Sequence, residues 1–342
     1  MRPLIISIFF LYAVALRAST PLNISIGYHG GYDSNVLRFS QMELENASNN
    51  KDAMGGSNTF DSYINKLNAR LEKTIFQLDK KEISISSSYN LSNYIHNSNK
   101  DYWSGNIIAT YKWGSYKNIK YTARHLNSYY LRHYIDRDIS TNSLKPCYFS
   151  DQDQIVSITL PLINRMWYSI GIGYLQRYYD NPFTEFDLDI YYTRLRLNKR
   201  IKKFGTISLQ IDRISAENIS YKKTAVSSSF DRSYEGFEWY LPIKLDKKLS
   251  YFNQLGLSLR QEIRVYKAEA LDDALHSGRD HKDLKIDLWI NKKISNDIEV
   301  TFSSRFRQRD TESSYDWVSD LKSFKQMQMW CKIKWSFTYD NY

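Results

Sequence analysis

From Met327 to Tyr339 every odd position is apolar or aromatic: Met327, Met329, Cys331, Ile333, Trp335, Phe337 and Tyr339. Gln326, Gln328, Lys332, Lys334, Ser336 and Thr338 occupy the even positions, with Trp330 as the one exception. A period of two puts one face of a strand in an apolar medium and the other in a polar one. A strand of about 10 residues tilted by about 45° crosses a bilayer, and this segment is long enough. The same alternation recurs near residues 22–28, 63–71, 83–91, 103–113, 119–123, 156–162, 168–174, 191–197, 207–211, 237–243, 255–265, 284–290 and 298–306. With the last segment that makes 14 predicted strands.

The connections between them alternate in length. Short turns fall near 76–81, 114–118, 163–165, 200–205, 245–248 and 293–297. Longer loops fall near 40–60, 95–102, 134–152, 180–185, 216–231, 267–280 and 309–324. Short turns at one end and long loops at the other are the pattern of an outer-membrane barrel. The predicted fold is therefore all-β: a transmembrane antiparallel up-and-down β-barrel of about 14 strands, with both termini on the short-turn side. A secreted β-sandwich or a soluble solenoid would share the period of two. Strand length, the strict alternation of connections and the placing of aromatics favour the membrane. Trp103 and Trp113 lie ten residues apart on one face, a rise of about 33 Å, or about 25 Å along the barrel axis once tilted. With Trp239 and Trp335 they are the candidates for an aromatic girdle.

Composition narrows the picture. Among 342 residues, 15% are aromatic and 28 are Tyr, which suits strands and interfaces. After residue 16 no run of 18 apolar residues occurs, so a bundle of transmembrane helices is excluded. The start differs: Arg2 precedes an apolar stretch from Pro3 to Leu16, followed by small residues. This reads as a secretory signal peptide over residues 1–18, cleaved after Ala15 or Ala18. An uncleaved anchor is the alternative. The remainder, 19–342, reads as a single barrel domain. Cys147 in a predicted loop and Cys331 on the lipid face are too far apart to bridge.

Two segments carry a family resemblance. Gly31-Tyr32-Asp33-Ser34-Asn35-Val36 resembles a stretch near the first strand of several bacterial outer-membrane barrels, including the barrel part of the surface-lipoprotein assembly modifiers. No helical-repeat pattern like that of the modifiers occurs here, and their activity is not carried over. The C-terminus, with Trp335, Phe337, Tyr339 and terminal Tyr342, is similar to the final-strand signal read by the barrel-assembly machinery. The resemblance implies porin-like architecture and that machinery as a partner in biogenesis, with outer-membrane lipid and lipopolysaccharide as surroundings.

The polar face of each strand is the expected lumen. Its cations would be Lys66, Arg70, Lys112, Lys120, Arg124, Arg132, Arg177, Arg194, Arg196, Lys244, Arg260, Arg264, Lys285, Arg305, Arg307, Lys332 and Lys334. Its anions would be Glu72, Asp212, Glu238, Glu262, Asp287 and Glu299. Seventeen against six is an excess of about +11, within a formal chain charge of +10. Rings of Arg and Lys favour anions in a pore, and a low-dielectric wall focuses their field. The expected function is passive diffusion of small polar solutes with a preference for anions. The charges could instead pair and fill a closed structural or adhesive barrel, and loops 40–60 or 134–152 could fold inward.

A third reading is a hydrolase at the rim. His133, Asp136 and Asp138 lie near one predicted loop, and His276, Asp280, His281 and Asp283 near another. The second group could form a weak divalent site, which needs three or four converging ligands. No G-x-S-x-G, Gly-rich phosphate loop or H-E-x-x-H occurs. No cofactor is implied. Nucleic acid is a poor partner, because the basic residues are spread over many strands. Lys80-Lys81, Lys199-Arg200, Lys202-Lys203, Lys247-Lys248 and Lys292-Lys293 put positive charge in the short turns, where solvent or lipid headgroups would meet it.

Overall fold

Each alternating segment becomes one strand. The computed structural model describes residues 20–47, 51–136, 143–220, 231–246, 251–268 and 273–340. The strands are β1 (Leu22–Asp33), β2 (Ser62–Leu78), β3 (Lys81–Tyr94), β4 (Tyr102–Gly114), β5 (Lys117–Ile135), β6 (Leu144–Pro161) and β7 (Met166–Tyr179). They continue as β8 (Leu188–Ile201), β9 (Gly205–Asn218), β10 (Tyr234–Leu245), β11 (Gln254–Tyr266), β12 (Asp280–Lys293), β13 (Ile298–Glu312) and β14 (Phe324–Tyr339). Each pairs antiparallel with its sequence neighbours, and β14 returns to β1, closing a 14-stranded barrel. The closing seam runs from Leu22 opposite Tyr339 to Asp33 opposite Gln328. The proposed signal segment and terminal Tyr342 lie outside the described residues.

The two faces divide as the alternation requires. Ile26, Leu67, Val156, Ile172, Leu288, Phe302 and Met329 all expose their side chains on the outer wall. A contiguous apolar wall of this extent is matched by hydrocarbon. Inward positions carry Ser86, Thr122, Ser157, Ser208, Gln210 and Ser258, all buried. A closed sheet leaves no strand edge unpaired, which is what a hydrocarbon environment demands.

Towards the long-loop end the pattern inverts. There the inward positions are apolar or aromatic: Ile64, Tyr94, Tyr130, Phe149, Leu188, Ile190 and Phe324 are buried. The outward positions are polar, with Asn93, Gln152, Glu217, Asp310, Glu312 and Lys325 exposed. The strands here rise beyond the bilayer, so the outside is wet and the inside packs against loops. This corrects the sequence reading of 134–152 as one long loop. β5 and β6 extend to 19 and 18 residues, and Cys147, expected in a loop, is buried on β6.

The β1–β2 connection folds into the barrel. Its helix α1 (Gln41–Asn46) starts at a reciprocal cap: Ser40 Oγ accepts from the Glu43 N–H at 3.2 Å, and the Ser40 N–H donates to Glu43 Oε2 at 2.9 Å. Val36, Leu37, Phe39, Ala47 and Met54 pack with Ile64, Tyr94 and Tyr130 into the main apolar cluster. Asn35 directs the turn. Its side-chain amide donates to the Phe39 and Lys325 carbonyls at 2.8 and 3.0 Å, and its Oδ1 accepts from the Phe39 N–H at 2.8 Å. Asp33 accepts from the Gln326 and Gln328 amides of β14. The segment 31–36 thus locks the seam and aims the loop inward.

Trp330, the exception to the alternation of β14, points into the lumen and lies across Gly31 of β1. A Cβ at Gly31 would come within 2.2 Å of its indole. Trp289 covers Gly256 of β11 in the same way, with 1.9 Å left. Glycine opposite a lumen-facing indole lets the ring lie flat on the neighbouring strand. Gly256→Val is therefore expected to lower stability by about 1–3 kcal/mol in urea unfolding of the micelle-bound protein. Gly105→Ala, where a Cβ meets only the Ser88 carbonyl oxygen at an ordinary contact of 3.5 Å, is expected to be near neutral. Equal midpoints for both variants would contradict this packing.

Candidate functional site: the lumen and its loop-end cavity

Of the seventeen predicted lumen cations, eleven are in ion pairs: Lys112 meets Glu82, Arg177 meets Asp151 and Arg132 meets Glu43, and eight more are paired as follows. Arg70 meets Glu72 at 2.8 Å, Arg124 meets Asp153 at 3.5 Å, and Arg194 meets Asp212 at 2.6 Å. Arg260 reaches Glu238 at 3.7 Å, Arg264 Glu262 at 2.5 Å and Arg305 Asp287 at 2.5 Å. Arg307 and Lys285 both reach Asp283, at 2.5 and 3.9 Å, and Arg309 joins them at 2.9 Å. The other six, Lys66, Lys120, Arg196, Lys244, Lys332 and Lys334, have no carboxylate partner among the described residues. Lys66 lies over the Trp330 ring at 4.5 Å, and Arg196 donates to Asn198 Oδ1 at 3.2 Å.

The pairing exists because the lumen holds more carboxylates than the alternation revealed. Asp33, Glu82, Asp151, Asp153 and Asp283 all act there: Glu82 pairs with Lys112, Asp151 with Arg177, Asp153 with Arg124 and Asp283 with three cations. The sequence count had omitted them, so the excess of +11 is too large; Arg309 adds back one cation. Asp151, Asp153 and Asp283 sit where the strands leave the bilayer and apolar alternation is lost. Asp33 and Glu82 sit at strand ends. A signal was present for Asp153: it is two residues from Ile155 and two from Asp151, in phase with the inward face of β6.

The loop-end cavity has a volume of about 1000 Å³. The inward loop supplies Leu37, Arg38 and Glu43, and helix α2 (Asp316–Lys322) supplies Trp317, Leu321 and Lys322. Eleven Arg and Lys side chains line it against five carboxylates. Aromatic rings lie beneath several of the cations: Arg177 over Phe149 at 4.3 Å, Arg264 over Tyr234 at 4.8 Å and Arg307 over Phe324 at 5.1 Å. Glu43 of α1 is bound by Arg132 of β5, which ties the inward loop to the wall.

Burial depresses the basicity of the loop cations. Lys100, in a 3-10 turn at Ser98–Lys100, is pushed down to about 8 by desolvation, although its ammonium donates to the Tyr130 and Leu131 carbonyls at 2.7 and 3.0 Å. Lys322 falls to about 7 through burial and the nearby charges of Arg132 and Arg279. Arg232 falls to about 10 through burial.

The predicted rim histidines are not gathered around a metal. His276 Nδ1 contacts Asp273 at 2.9 Å, and burial pushes it down to about 3, so it is neutral. His281 Nδ1 contacts Thr311 Oγ1 at 2.8 Å. Asp280 and Asp283 point to opposite faces of β12, and Asp283 is occupied by arginines. His133 Nδ1 contacts the Tyr130 hydroxyl at 2.5 Å; Asp138 lies outside the described residues. Among the described residues no three His, Cys, Asp or Glu side chains could hold a metal ion.

On the outer wall, Trp103 packs on Tyr89 and His125 at 5.6 and 5.0 Å near the loop end of β4. Trp113 stacks on Tyr111 at 5.6 Å near the short-turn end, and Trp335 contacts Phe337 at 4.9 Å. Trp239 sits midway along β10, where its Nε1 donates to Gln261 Oε1 at 3.0 Å.

No family model matches the chain, and no curated protein matches it by sequence. Among solved structures it is similar in shape to the outer-membrane channel DcaP of Acinetobacter baumannii, at 11% identity and a TM-score of 0.47, covering 94% of this chain and 98% of that one. OpdK of Pseudomonas aeruginosa, crystallised with vanillate, gives 8% identity and a TM-score of 0.40, covering 92% and 99%. OprD of the same organism gives 9% and 0.41, covering 93% and 95%. The fold is established by the strand pairing itself, and nothing about cargo follows from likeness at this level. Closed pairing, an apolar outer wall and alternating turn lengths define an outer-membrane β-barrel.

Asp283 is the hub of the inner charge lattice. Asp283→Asn leaves Arg307, Arg309 and Lys285 without their shared counter-charge, and is expected to cost about 3–5 kcal/mol in urea unfolding. Asp310→Asn, on the exposed outer face, is expected to change the midpoint little. A neutral Asp283→Asn would contradict the lattice.

Proposed function

We propose that the barrel is an outer-membrane channel for passive diffusion of small polar solutes, favouring anions. The observation that carries this is the cavity lining, with eleven cations against five carboxylates. Lys66, Arg196, Lys332 and Lys334 extend the positive path along the rest of the lumen. A field set up by fixed cations inside a low-dielectric wall raises the local anion concentration and excludes cations. Ion-paired arginines hold the wall rigid, and the unpaired cations provide the net charge. The inward loop narrows the loop end, so solutes are small.

On this reading residues 1–18 direct export and are removed, the final strand is read by the barrel-assembly machinery, and lipopolysaccharide and phospholipid surround the wall. The packing of Val36, Leu37, Phe39 and Met54 inside the barrel is the feature that favours the second reading, a closed structural or adhesive barrel acting through its loops.

Flux separates the two. Vesicles containing the refolded protein and a chloride-quenched dye are expected to admit chloride faster than a potassium dye reports potassium. Replacing Arg196, Lys332 and Lys334 by Gln together is expected to lower the chloride-to-potassium ratio by about threefold or more. Arg305→Gln, whose charge is offset by Asp287, is expected to have a smaller effect. Flux equal to that of empty vesicles would support the closed barrel.

A further inference from the structure

The short turns are rich in lysine, and the barrel sorts these side chains by face. On β3, Lys81 continues the outward row of Ile83 and Ile85; on β8, Lys199 follows Leu195 and Leu197; on β12, Lys292 follows Leu288 and Ile290. Lys117 stands in the same relation to Ile119 and Tyr121 on β5. Four hairpins spread around the barrel thus end the apolar wall with a lysine at the same level. All four lysines are exposed, and none has an ion pair among the described residues. Each lies two residues past the last outward apolar side chain, about 5 Å along the barrel axis once the strand tilts. A four-carbon stem carries the ammonium from there to headgroup depth.

The turns bearing these lysines are apolar at their tips. Leu78, Leu162, Phe204, Tyr251 and Ile294, on five of the six short hairpins, are all exposed. The sixth carries Trp113 on its outer face beside Lys117. Apolar residues interleaved with lysine suit the boundary between hydrocarbon and headgroups better than open water. The sign of charge is one-sided. Lys80, Arg165, Lys202 and Lys203 at the tips add to the four outward lysines, against Asp79, Asp246 and Asp297. Glu82 and Glu299 of this end face the lumen, at Lys112 and Asn291. The outer face at the loop end differs: Glu217, Asp310 and Glu312 are exposed there, and Lys267 and Lys282 are held by Glu235 and Glu312.

We propose that Lys81, Lys117, Lys199 and Lys292 form a collar that draws anionic phospholipids, of the phosphatidylglycerol type, to the wall on the short-turn side. An ammonium is a compact point charge that suits a phosphodiester. A zwitterionic headgroup brings its own cation beside the phosphate, whereas an anionic one leaves the charge to the lysine. The collar lies outside the lumen and does not depend on whether the lumen conducts.

The test is spin-label electron resonance of the folded barrel in phosphatidylcholine vesicles at low salt. Trace spin-labelled phosphatidylglycerol or phosphatidylcholine is added, and the motionally restricted fraction of each is compared. Phosphatidylglycerol is expected to associate about threefold more strongly, falling towards parity in 1 M potassium chloride, where the Debye length is about 3 Å. Replacing the four lysines by Gln together is expected to bring the ratio near one, while Lys267→Gln/Lys282→Gln leaves it close to that of the unaltered protein. Folding is checked by the unheated gel mobility. If the quadruple variant does not fold, Lys81→Gln/Lys292→Gln carries the test, with about half the preference lost. Equal association of the two lipids with the unaltered protein would overturn the collar and leave these lysines to solvent or a soluble acidic partner. A preference intact in the folded variant, or an equal drop in Lys267→Gln/Lys282→Gln, would also overturn it. Chloride flux is scored separately and is expected to be unchanged in the quadruple variant, so the collar and the channel fail independently.

Discussion

Every backbone N–H and C=O in hydrocarbon must find a partner within the protein, and for strands the only arrangement that does this is a closed sheet. The β1–β14 seam is the pairing that closes this one. Alternation follows, because a closed sheet has one side in lipid and one side enclosed. So does the fate of Trp330: on the lumen face it needs flat space, which Gly31 opposite provides. The same seam starts the inward loop, since Asp33 and Asn35 bond to β14 side chains and backbone in the act of turning the chain. Closure and constriction are thus built from adjacent residues.

Inside the barrel the low dielectric makes unpaired charge costly and paired charge rigid. The structure uses both. Eleven of the seventeen anticipated lumen cations are held by carboxylates, several at 2.5–2.9 Å, and form a wall of fixed geometry. The minority without partners set the net field. Their separation from the paired lattice means that wall and selectivity can be altered by different substitutions.

Much of the fold was legible in the sequence because a bilayer imposes a strict period. All 14 strands, the connections other than 134–152 and the outward aromatics near Trp103, Trp113 and Trp335 follow from it. Legibility ended where the bilayer ends. Above it the wall is wet outside and packed inside, so Asn93 and Gln152 face out while Tyr130 and Phe149 face in. A rule tuned to lipid reads such stretches as loop, and so Asp151, Asp153 and Asp283 were not counted in the lumen. The loop-end cavity was hidden for a further reason: Arg232, Arg279 and Lys322 come from three connections with no periodicity, and only tertiary packing brings them together.

The account stands most directly on the sign of charge that crosses the barrel. The refolded protein should be placed in a planar bilayer with a tenfold potassium chloride gradient, and the reversal potential of single openings recorded. An open, positively lined lumen predicts steady conductance reversing towards the chloride equilibrium potential. Reversal towards the potassium potential, or no conductance from protein shown to be folded and inserted, would contradict it.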